Sequence, residues 1–557
     1  MDPSLSGHFR DLQAFQRRNS EPCIPSTSTG STEEHVASID AEISRTEDAI
    51  VRLVKHRAIL KRRRNAFSPA VKLPAELLAL IFEFACLPTD VDDHIGWEGY
   101  PGATNLNMGV GSGAVTPLFL GSVCNAWRTI AFRTSQLWNR VIIHLNERHS
   151  EAQGDLLRRW LSRTRQRPLW IKVMEDESTT SENEDDNSWG IDVTSTKIID
   201  ILAEHSTQWH TVNLFLPSTW KESLSRIRNN LPNLKSITLR PAEGSPTLSR
   251  VNAFSLARAL RNITIIGYSI SEIFIPWAQL ERVDGEYFCV SEALDVLRIC
   301  PCLLRAQFTQ LSRGLPPFLP PPVQHDQLEA LELILDSSDQ LHRFFGAMTL
   351  PNLKELVLSL SDDESLLGAV MPLLRRSGCA ASLTHLHLVG QTPMEDELIG
   401  CLEELSGLEV FLLINPVMSG GKLTDRILRL MKPMTSLCSA KHRAHTEDID
   451  EEMDQGENGE TCLLPKLRRL EYQGQIAFDS RTLVETLVSR WYRTTSSNPS
   501  ASESKPTINT AQLKSVVLTT ERRITFGGQA ARTVQKLMEE GMSLQFLKDP
   551  NGNEPGW

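Results

Sequence analysis

Several features are missing from this chain, and each absence excludes a class of protein. No stretch is apolar for the eighteen or so residues that a bilayer-spanning helix needs. The segment from Met1 to Phe15 lacks the apolar centre of a secretory signal. Ten cysteines occur without a Cys-x-x-Cys pair, and Cys86, Cys289 and Cys401 lie in apolar segments typical of buried free thiols. We therefore expect an intracellular protein, cytoplasmic or nuclear, with no membrane partner.

Catalytic and cofactor motifs are also missing. The chain has no Gly-x-Ser-x-Gly, His-Glu-x-x-His or P-loop pattern. Gly109-x-Gly111-x-x-Ala114 has the glycines of a dinucleotide fingerprint, but no strand precedes it in the sequence pattern. Cys300-Pro301-Cys302 has the wrong spacing for a zinc or redox pair and is interpreted as a turn. The sequence predicts no cofactor, no metal site and no enzymatic activity.

Basic residues are in the minority, with 58 Lys and Arg against 69 Asp and Glu and a net charge of −11. This balance argues against nucleic acid as a partner, because phosphate binding needs concentrated positive charge. The length of 557 residues suggests two or three domains, or one elongated repeat array. Residues 1–32 are rich in Ser, Thr, Pro and Gly, and we expect them to form a disordered tail.

Residues 33–66 are predicted to form a charged amphipathic helix. Its aliphatic residues occupy heptad a and d positions, although Thr46 and Arg57 interrupt the seam; they are Val36, Ile39, Ile43, Ile50, Leu53 and Leu60. The pattern fits either a short coiled coil that pairs with itself or a helix that lies on the neighbouring module. The closing run Lys61-Arg62-Arg63-Arg64 fits a helix C-terminus, with a nuclear localisation signal as the alternative.

Two short apolar segments follow. The first reads Leu73-Pro74-Ala75-Glu76, with Pro74 suited to a first helical turn and Glu76 to the positive helix end. It continues in a broad apolar stripe of Leu77, Leu78, Ile81, Phe82 and Ala85. The second segment repeats such a stripe with Val123, Trp127, Ile130 and Ala131. On periodicity alone, both stripes also fit the core of a larger helical domain.

Together these segments resemble an F-box. The matching features are Leu-Pro-x-Glu at 73–76, the Leu-Leu-x-x-Ile-Phe continuation, Val-Cys-x-x-Trp-Arg at 123–128 and Leu137-Trp138. The resemblance implies a helical module over 67–140, with residues 87–117 as an insertion, that docks on a Skp-family adaptor and through it on a cullin. It places Leu73, Pro74, Leu77, Leu78, Ile81 and Phe82 at the adaptor face, which Val123, Trp127 and Trp138 would pack against or complete.

A repeat dominates residues 141–557. The template Leu-x-x-Leu-x-Leu, with aliphatic and aromatic substitutions, starts at residues 209, 234, 260, 303, 328, 353, 383, 408, 467 and 513, commonly 25 or 26 residues apart. Leu280-x-x-Val283 is a degenerate unit in the longest early gap. Helical stretches between the units predict an irregular α/β leucine-rich-repeat solenoid, a horseshoe with a curved parallel sheet. The order of helix, F-box and weak solenoid resembles fungal, especially mushroom-type, F-box proteins.

Polar segments at 175–189, 441–462 and 494–511 interrupt the repeat. They are predicted to be solvated loops, with regulation by phosphorylation as the alternative.

The residues between the template leucines should face the concave side of such a sheet. They are Ser236, Thr238, Glu332, Glu355, Val357, His385, His387, Val410, Leu412, Arg469 and Glu471. This mixture of charged, imidazole and aliphatic groups suits a protein epitope better than a small molecule, although a merely solvated face would also contain it. The fold class is thus mixed α/β: a coiled-coil-like helix, a small all-helical F-box and a solenoid.

The expected function is a non-catalytic substrate receptor of a cullin-type ubiquitin ligase, whose solenoid binds a protein target that the sequence does not identify. The alternative is a leucine-rich interaction scaffold that acts outside any ubiquitin ligase.

Overall fold

The computed structural model describes residues 32–86, 116–145, 149–175, 195–242, 247–311, 321–335, 338–360, 366–415, 420–433, 462–492 and 510–548. Four sequence-based predictions fall almost wholly outside these ranges: the disordered tail, the insertion at 87–117 with its Gly109-x-Gly111 motif, and the loops at 441–462 and 494–511. The loop at 175–189 also lies outside them except for Glu175. No helix in the described ranges is long and apolar enough to cross a bilayer.

The chain divides into two compact units, one formed by Met1–Phe84 with Pro117–Phe132 and the other by Ala85–Thr116 with Arg133–Trp557. The described part of the first unit is helical. Its helices are α1 (Thr32–Asn65), α2 (Ala75–Ala85), α3 (Pro117–Val123) and α4 (Asn125–Arg133), with a 3-10 turn at Pro69–Lys72.

Helix α1 is present where the charged helix was predicted, but its seam is not covered. The six aliphatic heptad residues are each between 45% and 59% exposed. The expectation that this helix lies on the neighbouring module is therefore wrong for the described residues. The seam keeps its apolar side chains in water, as a helix with a polar and an apolar face does when it has no partner.

Helices α2, α3 and α4 share a small core. Leu78, Phe82, Leu120 and Ala131 are buried in it. The prediction that Val123 and Trp127 lie on one helix is wrong, because the chain breaks at Cys124 between α3 and α4. The Trp127 amide donates to Cys124 Sγ at 3.4 Å, as at a helix N-terminus where a side chain meets an amide that has no helical partner.

The second unit contains a parallel sheet of fourteen strands in sequential order, the order expected of stacked repeats. Its strands are β1 (Arg140–Leu145), β2 (Leu169–Glu175), β3 (Trp209–Leu216), β4 (Ser236–Pro241), β5 (Asn262–Ile266), β6 (Arg282–Glu286), β7 (Arg305–Thr309), β9 (Ala330–Leu335), β11 (Glu355–Leu360), β12 (His385–Val389), β13 (Val410–Ile414), β15 (Arg469–Gln473), β17 (Ser515–Thr520) and β18 (Ser543–Lys548). Two-residue strands form two further pairs: β8 (Val323–Gln324) with β10 (Met348–Thr349), and β14 (Leu423–Thr424) with β16 (Ile476–Ala477).

Helices connect many of these strands. They are α5 (Ser150–Thr164), α6 (Lys197–Glu204), α7 (Lys221–Arg226), α8 (Val290–Ile299), α9 (Ser338–Gly346), α10 (Leu366–Ser377), α11 (Glu395–Glu404), α12 (Asp425–Leu430), α13 (Ser480–Trp491) and α14 (Gly528–Glu539). Short 3-10 turns replace helices around β5 and β6. Cys300-Pro301-Cys302 is the turn that leads from α8 to β7, as predicted.

The repeating leucines explain the sheet. The residues of all ten template units are buried, and they align between neighbouring strands; for example, Leu356 lies level with Leu331 and Leu386. Because side chains alternate along a strand, the same residues fix both the inward face and the register. The degenerate unit at Leu280 and Val283 leads into and forms a complete strand, β6.

Trp138 belongs to this second unit. Its ring packs against Trp160 of α5 with centroids 4.5 Å apart, and its carbonyl accepts a 2.7 Å hydrogen bond from Trp160 Nε1. The Arg163 guanidinium lies 4.8 Å from the centre of the Trp138 ring. Trp138 is fully buried. The prediction that it contributes to an adaptor face is thus corrected: it belongs to the core beside the first strand.

Candidate functional site

An exposed apolar stripe on α2 is the first candidate surface. Leu77, Leu80, Ile81 and Phe84 follow the helical spacing of three, one and three residues, and they are 48%, 49%, 49% and 72% exposed. The opposite face of α2 places Leu78 in the core. A helix that is apolar on both faces needs a partner on both, so this stripe is a candidate protein interface.

The predicted adaptor residues fall into two groups. Leu73, Pro74, Leu77, Ile81 and Val123 are exposed. The others are covered by this chain itself: Leu78, Phe82 and Trp138 are buried, and Trp127 is half-buried.

The assignment of Leu78 and Phe82 to a docking face is corrected accordingly, because both side chains point into the core of the helical unit. Sequence reasoning missed Leu80 and Phe84 on α2 and Phe119 on α3, which are also exposed. Following the spacing onward from Leu77 to Leu80 and Phe84 would have found the first two.

The second candidate surface is the sheet face opposite the buried leucines, called here the open face. Its side chains form two aligned rows across the strands. The first row contains Arg282, Arg305, Ala330, Glu355, His385, Val410 and Arg469, and the second contains Asp284, Gln307, Glu332, Val357, His387, Leu412 and Glu471. Ser236 and Thr238 extend these rows on β4. All eleven predicted target-binding residues therefore lie on one continuous face; target binding itself stays a prediction.

One end of this pair of rows is charged. Arg282 Nε donates to both carboxylate oxygens of Asp284 at 3.0 and 3.1 Å, and Thr264 Oγ1 donates to the same carboxylate at 3.2 Å. Arg305 Nη1 lies 3.5 Å from Glu355 Oε2 two strands away. The depression between these groups has a volume of about 60 Å³, far below the several hundred Å³ of a typical small-molecule pocket. The shape suits side chains of a protein partner.

Sequence reasoning missed Arg282, Asp284, Arg305 and Gln307 in this charged part. The signal was available: β6 and β7 carry the same alternation of buried and half-exposed positions as the strands with complete leucine templates.

The other end of the two rows is largely apolar. Val357, Val410 and Leu412 lie on adjacent strands, and Ile334, Val389 and Ile414 lie one step further along the same face. All are half-buried or exposed in the chain as described. Beyond them, Arg469 Nη2 donates to Glu471 Oε2 at 2.8 Å. An apolar patch with charged neighbours is the arrangement found at protein interfaces, whose centres are apolar and whose rims are polar.

His387 occupies the centre of the apolar part, level with Val357 and Leu412. Its Nε2 has no hydrogen-bond partner among the described residues. Burial lowers the pKa of His387 below its ordinary value; Glu471 acts in the opposite direction, and Arg469 adds to the lowering. The imidazole is therefore neutral at pH 7, which suits an apolar contact surface. His385, on the first row, accepts or donates at Nδ1 to Thr384 Oγ1 at 2.9 Å.

An aromatic group lies on the first strands of the sheet. Trp170 stacks with His210 at a centroid distance of 5.5 Å and an interplanar angle of 19°, and the Arg140 guanidinium lies 5.4 Å from the Trp170 ring. Sequence reasoning missed these residues because β1 and β2 lack the leucine template. Trp and Arg are frequent anchors at protein interfaces, so this group is a possible extension of the open face.

The described residues contain no group of three or more His, Cys, Asp and Glu side chains that could hold a metal ion. The buried thiols are poor nucleophiles, since burial raises the pKa of Cys86 and Cys401 to about 11 and that of Cys300 to about 12. Cys289 is half-buried at the start of α8.

A wide depression of about 500 Å³ lies beside Arg468, Trp491, Tyr492 and Lys514. Its two aromatic residues already donate to Glu540, from Trp491 Nε1 at 2.9 Å and from Tyr492 OH at 2.8 Å. These groups serve packing between α13 and α14 and do not supply a nucleophile paired with a base, as hydrolytic catalysis requires.

The fold defines the second unit as a parallel α/β repeat sheet. No family model matches the chain, and no curated protein matches its sequence. Two solved structures are similar to it. The crystal structure of the Rad7 and Elc1 complex in yeast is 13% identical with a TM-score of 0.32, covering 95% of this chain and 97% of that chain. A crystal structure of a Bacteroides fragilis protein is 16% identical with a TM-score of 0.27, covering 61% and 74%. At these scores neither similarity contributes to the functional argument.

Proposed function

We propose that this protein is a non-catalytic substrate receptor of a cullin-type ubiquitin ligase. The helical unit docks on a Skp-family adaptor through the exposed stripe of α2, and the open face of the sheet binds a protein target. The observation that carries the proposal is the double-sided apolar character of α2, in the segment that resembles an F-box. Its inner face holds the unit together and its outer face offers Leu77, Leu80, Ile81 and Phe84 to a partner.

The chemistry of this function needs no reactive side chain in the receptor. A bound target is held near ubiquitin that is carried by another subunit, and the gain in rate comes from effective concentration and orientation. The open face supports target binding because it combines an apolar patch around His387 with the charged groups around Arg282 and Glu355. The depression of about 60 Å³ among the charged groups favours a protein surface over a small ligand.

Affinity purification of the full chain followed by mass spectrometry tests the proposal. We expect a Skp-family adaptor, a cullin and at least one further protein as the target. The matched variant Leu77→Glu/Ile81→Glu should lose adaptor and cullin together and keep the target, since the substituted residues lie on the helical unit. Recovery of the adaptor without any cullin would instead favour a scaffold that acts outside a ubiquitin ligase. Recovery of neither would overturn the proposal.

A further inference from the structure

Helix α1 carries an apolar seam that the described part of its own chain does not cover. Its a positions are Val36, Ile43, Ile50 and Arg57, and its d positions are Ile39, Thr46, Leu53 and Leu60. The six aliphatic side chains are all at least 45% exposed. A helix of 34 residues with such a seam is long enough for about four heptads of a coiled coil. The seam therefore calls for a partner helix.

The charges of α1 identify what kind of helix fits. The half from residue 33 to 48 is acidic, with Arg45 as its one basic residue, and carries Glu33, Glu34, Asp40, Glu42, Glu47 and Asp48. The half from 49 to 64 has no acidic residue and carries Arg52, Lys55, Arg57, Lys61, Arg62, Arg63 and Arg64. The helix macrodipole favours such charges only within the first and last turns. Asp48 and Arg52 lie mid-helix, so the dipole does not account for the division.

We propose that α1 pairs with α1 of a second copy of this chain in an antiparallel coiled coil. In this orientation the seam closes on itself without a gap. Val36 faces Leu60 of the second copy, Ile43 faces Leu53, and Thr46 faces Ile50, so that a positions meet d positions in every layer, as antiparallel pairing requires. The acidic half of each helix lies along the basic half of the other. Opposite charges along the flanks of a coiled coil determine its orientation.

The two residues that interrupt the seam also favour this orientation. A parallel pair in register would bring Arg57 against Arg57 in one core layer, and would place Glu42 beside Glu47 of the other helix. The antiparallel pair places Arg57 against Ile39, next to Asp40 and Glu42, where the guanidinium can reach a carboxylate. Glu33 then lies beside Lys61. The like-charge flank contact of Glu47 with its own copy, at the centre, is outweighed by these opposite-charge neighbours.

The mass of the full chain in solution tests the pairing. Sedimentation equilibrium at micromolar concentration should give twice the chain mass of 62.5 kDa. Ile43→Glu/Leu53→Glu places carboxylates in facing layers and should halve the measured mass. The matched control is Val51→Glu/Ile59→Glu, since Val51 and Ile59 are 50% and 45% exposed but lie off the seam, and it should leave the dimer intact. A monomeric wild-type chain, or equal effects of both double variants, would overturn the proposal.

Disulfide trapping tests the orientation. Val36→Cys and Leu60→Cys are prepared as separate variants with different tags, and the wild-type chain reports any cross-linking through native cysteines. In the antiparallel pair, Val36 of one copy is about 36 Å along the axis from Val36 of the other, from 1.5 Å per residue. We expect a cross-link in the mixture of the two variants and none in either variant alone. A cross-link in Val36→Cys alone would show parallel pairing and contradict the proposal, which is independent of any ligase function.

Discussion

The rings of Phe82 and Trp127 pack with their centroids 5.0 Å apart and their planes at 60°. This contact joins α2 to α4, which are separated in the sequence by the insertion and α3. It also fixes which side of α2 faces inward. With Phe82 and Leu78 on the inner side, Leu77, Leu80, Ile81 and Phe84 can only face outward. The aromatic pair thus positions the surface that we propose docks the adaptor.

Replacing Phe82 by Ala should destabilise the helical unit by about 3–5 kcal/mol, the usual range for a buried Phe whose loss leaves a cavity. The matched substitution Leu80→Ala, at a half-exposed position on the same helix, should cost less than about 1 kcal/mol. Hydrogen exchange of the amides in α2 measures both effects without interference from the sheet. Equal protection of α2 in the two variants would contradict the assignment of inner and outer faces.

Substitution of the apolar part of the open face should abolish target binding and leave the fold unchanged. In Val410→Asp/Leu412→Asp, two carboxylates replace half-buried aliphatic groups at the centre of the proposed interface, where charge is disfavoured. We expect the target to be lost from affinity purifications while the adaptor is retained. Leu256→Asp is the matched control, because Leu256 is 53% exposed and lies off the two rows. Retention of the target by the double variant would exclude this face as the binding site.

Acidification should destabilise the sheet partly through His387. Because burial lowers the folded-state pKa of His387, the unfolded chain takes up the proton first as the pH falls below about 6.5. The contribution of this residue to stability is therefore present above that pH and is lost as the pH falls toward the folded-state pKa. His205 and His210 have lowered pKa values for the same reason and act in the same direction.

Urea unfolding of His387→Leu and His387→Gln between pH 7.5 and 5 measures the contribution of His387. Both variants should lose less stability on acidification than the wild-type chain. A steep loss in both would show that His387 does not titrate as described.

Arg490 should be essential for the C-terminal part of the sheet. Its guanidinium is buried, and Nη2 donates to the carbonyls of Leu464 and Leu467, each at 3.0 Å. Arg490→Met would keep much of the volume but leave both carbonyls without this donor, at a cost of about 3 kcal/mol or more for two charge-assisted hydrogen bonds. Chemical denaturation followed by tryptophan fluorescence measures the effect. A change below about 1 kcal/mol would mean that other donors replace the guanidinium.

The leucine template made most of the sheet predictable. Each template unit has a strand, because residues that alternate inward at fixed spacing specify both strand and register. The strands β1, β2 and β18 were missed for a physical reason. Their sequences, such as Arg140–Leu145, have an apolar run in place of the template, because the outer repeats pack against other elements than a preceding and a following unit.

The faces of α2 were less predictable. Leu77, Leu78, Ile81 and Phe82 form one broad apolar stripe in the sequence, and nothing in its periodicity distinguishes the two halves. Only the position of Trp127, fixed by tertiary packing, shows that Leu78 and Phe82 are inside. The same holds for Trp138, whose place in the sheet depends on Trp160 of α5, a helix that the sequence-based reading did not include.

Direct binding between the full chain and a purified Skp-family adaptor tests the central claim. Isothermal titration should show a complex for the wild-type chain and for Leu256→Glu, whose substituted residue lies in the other unit. Leu77→Glu/Ile81→Glu should weaken the complex at least about thirtyfold, corresponding to about 2 kcal/mol for the loss of interface anchors. Circular dichroism should confirm that the variant is folded, as both residues are exposed in the chain alone. Wild-type affinity in that folded variant, or no binding by the wild-type chain, would contradict the account.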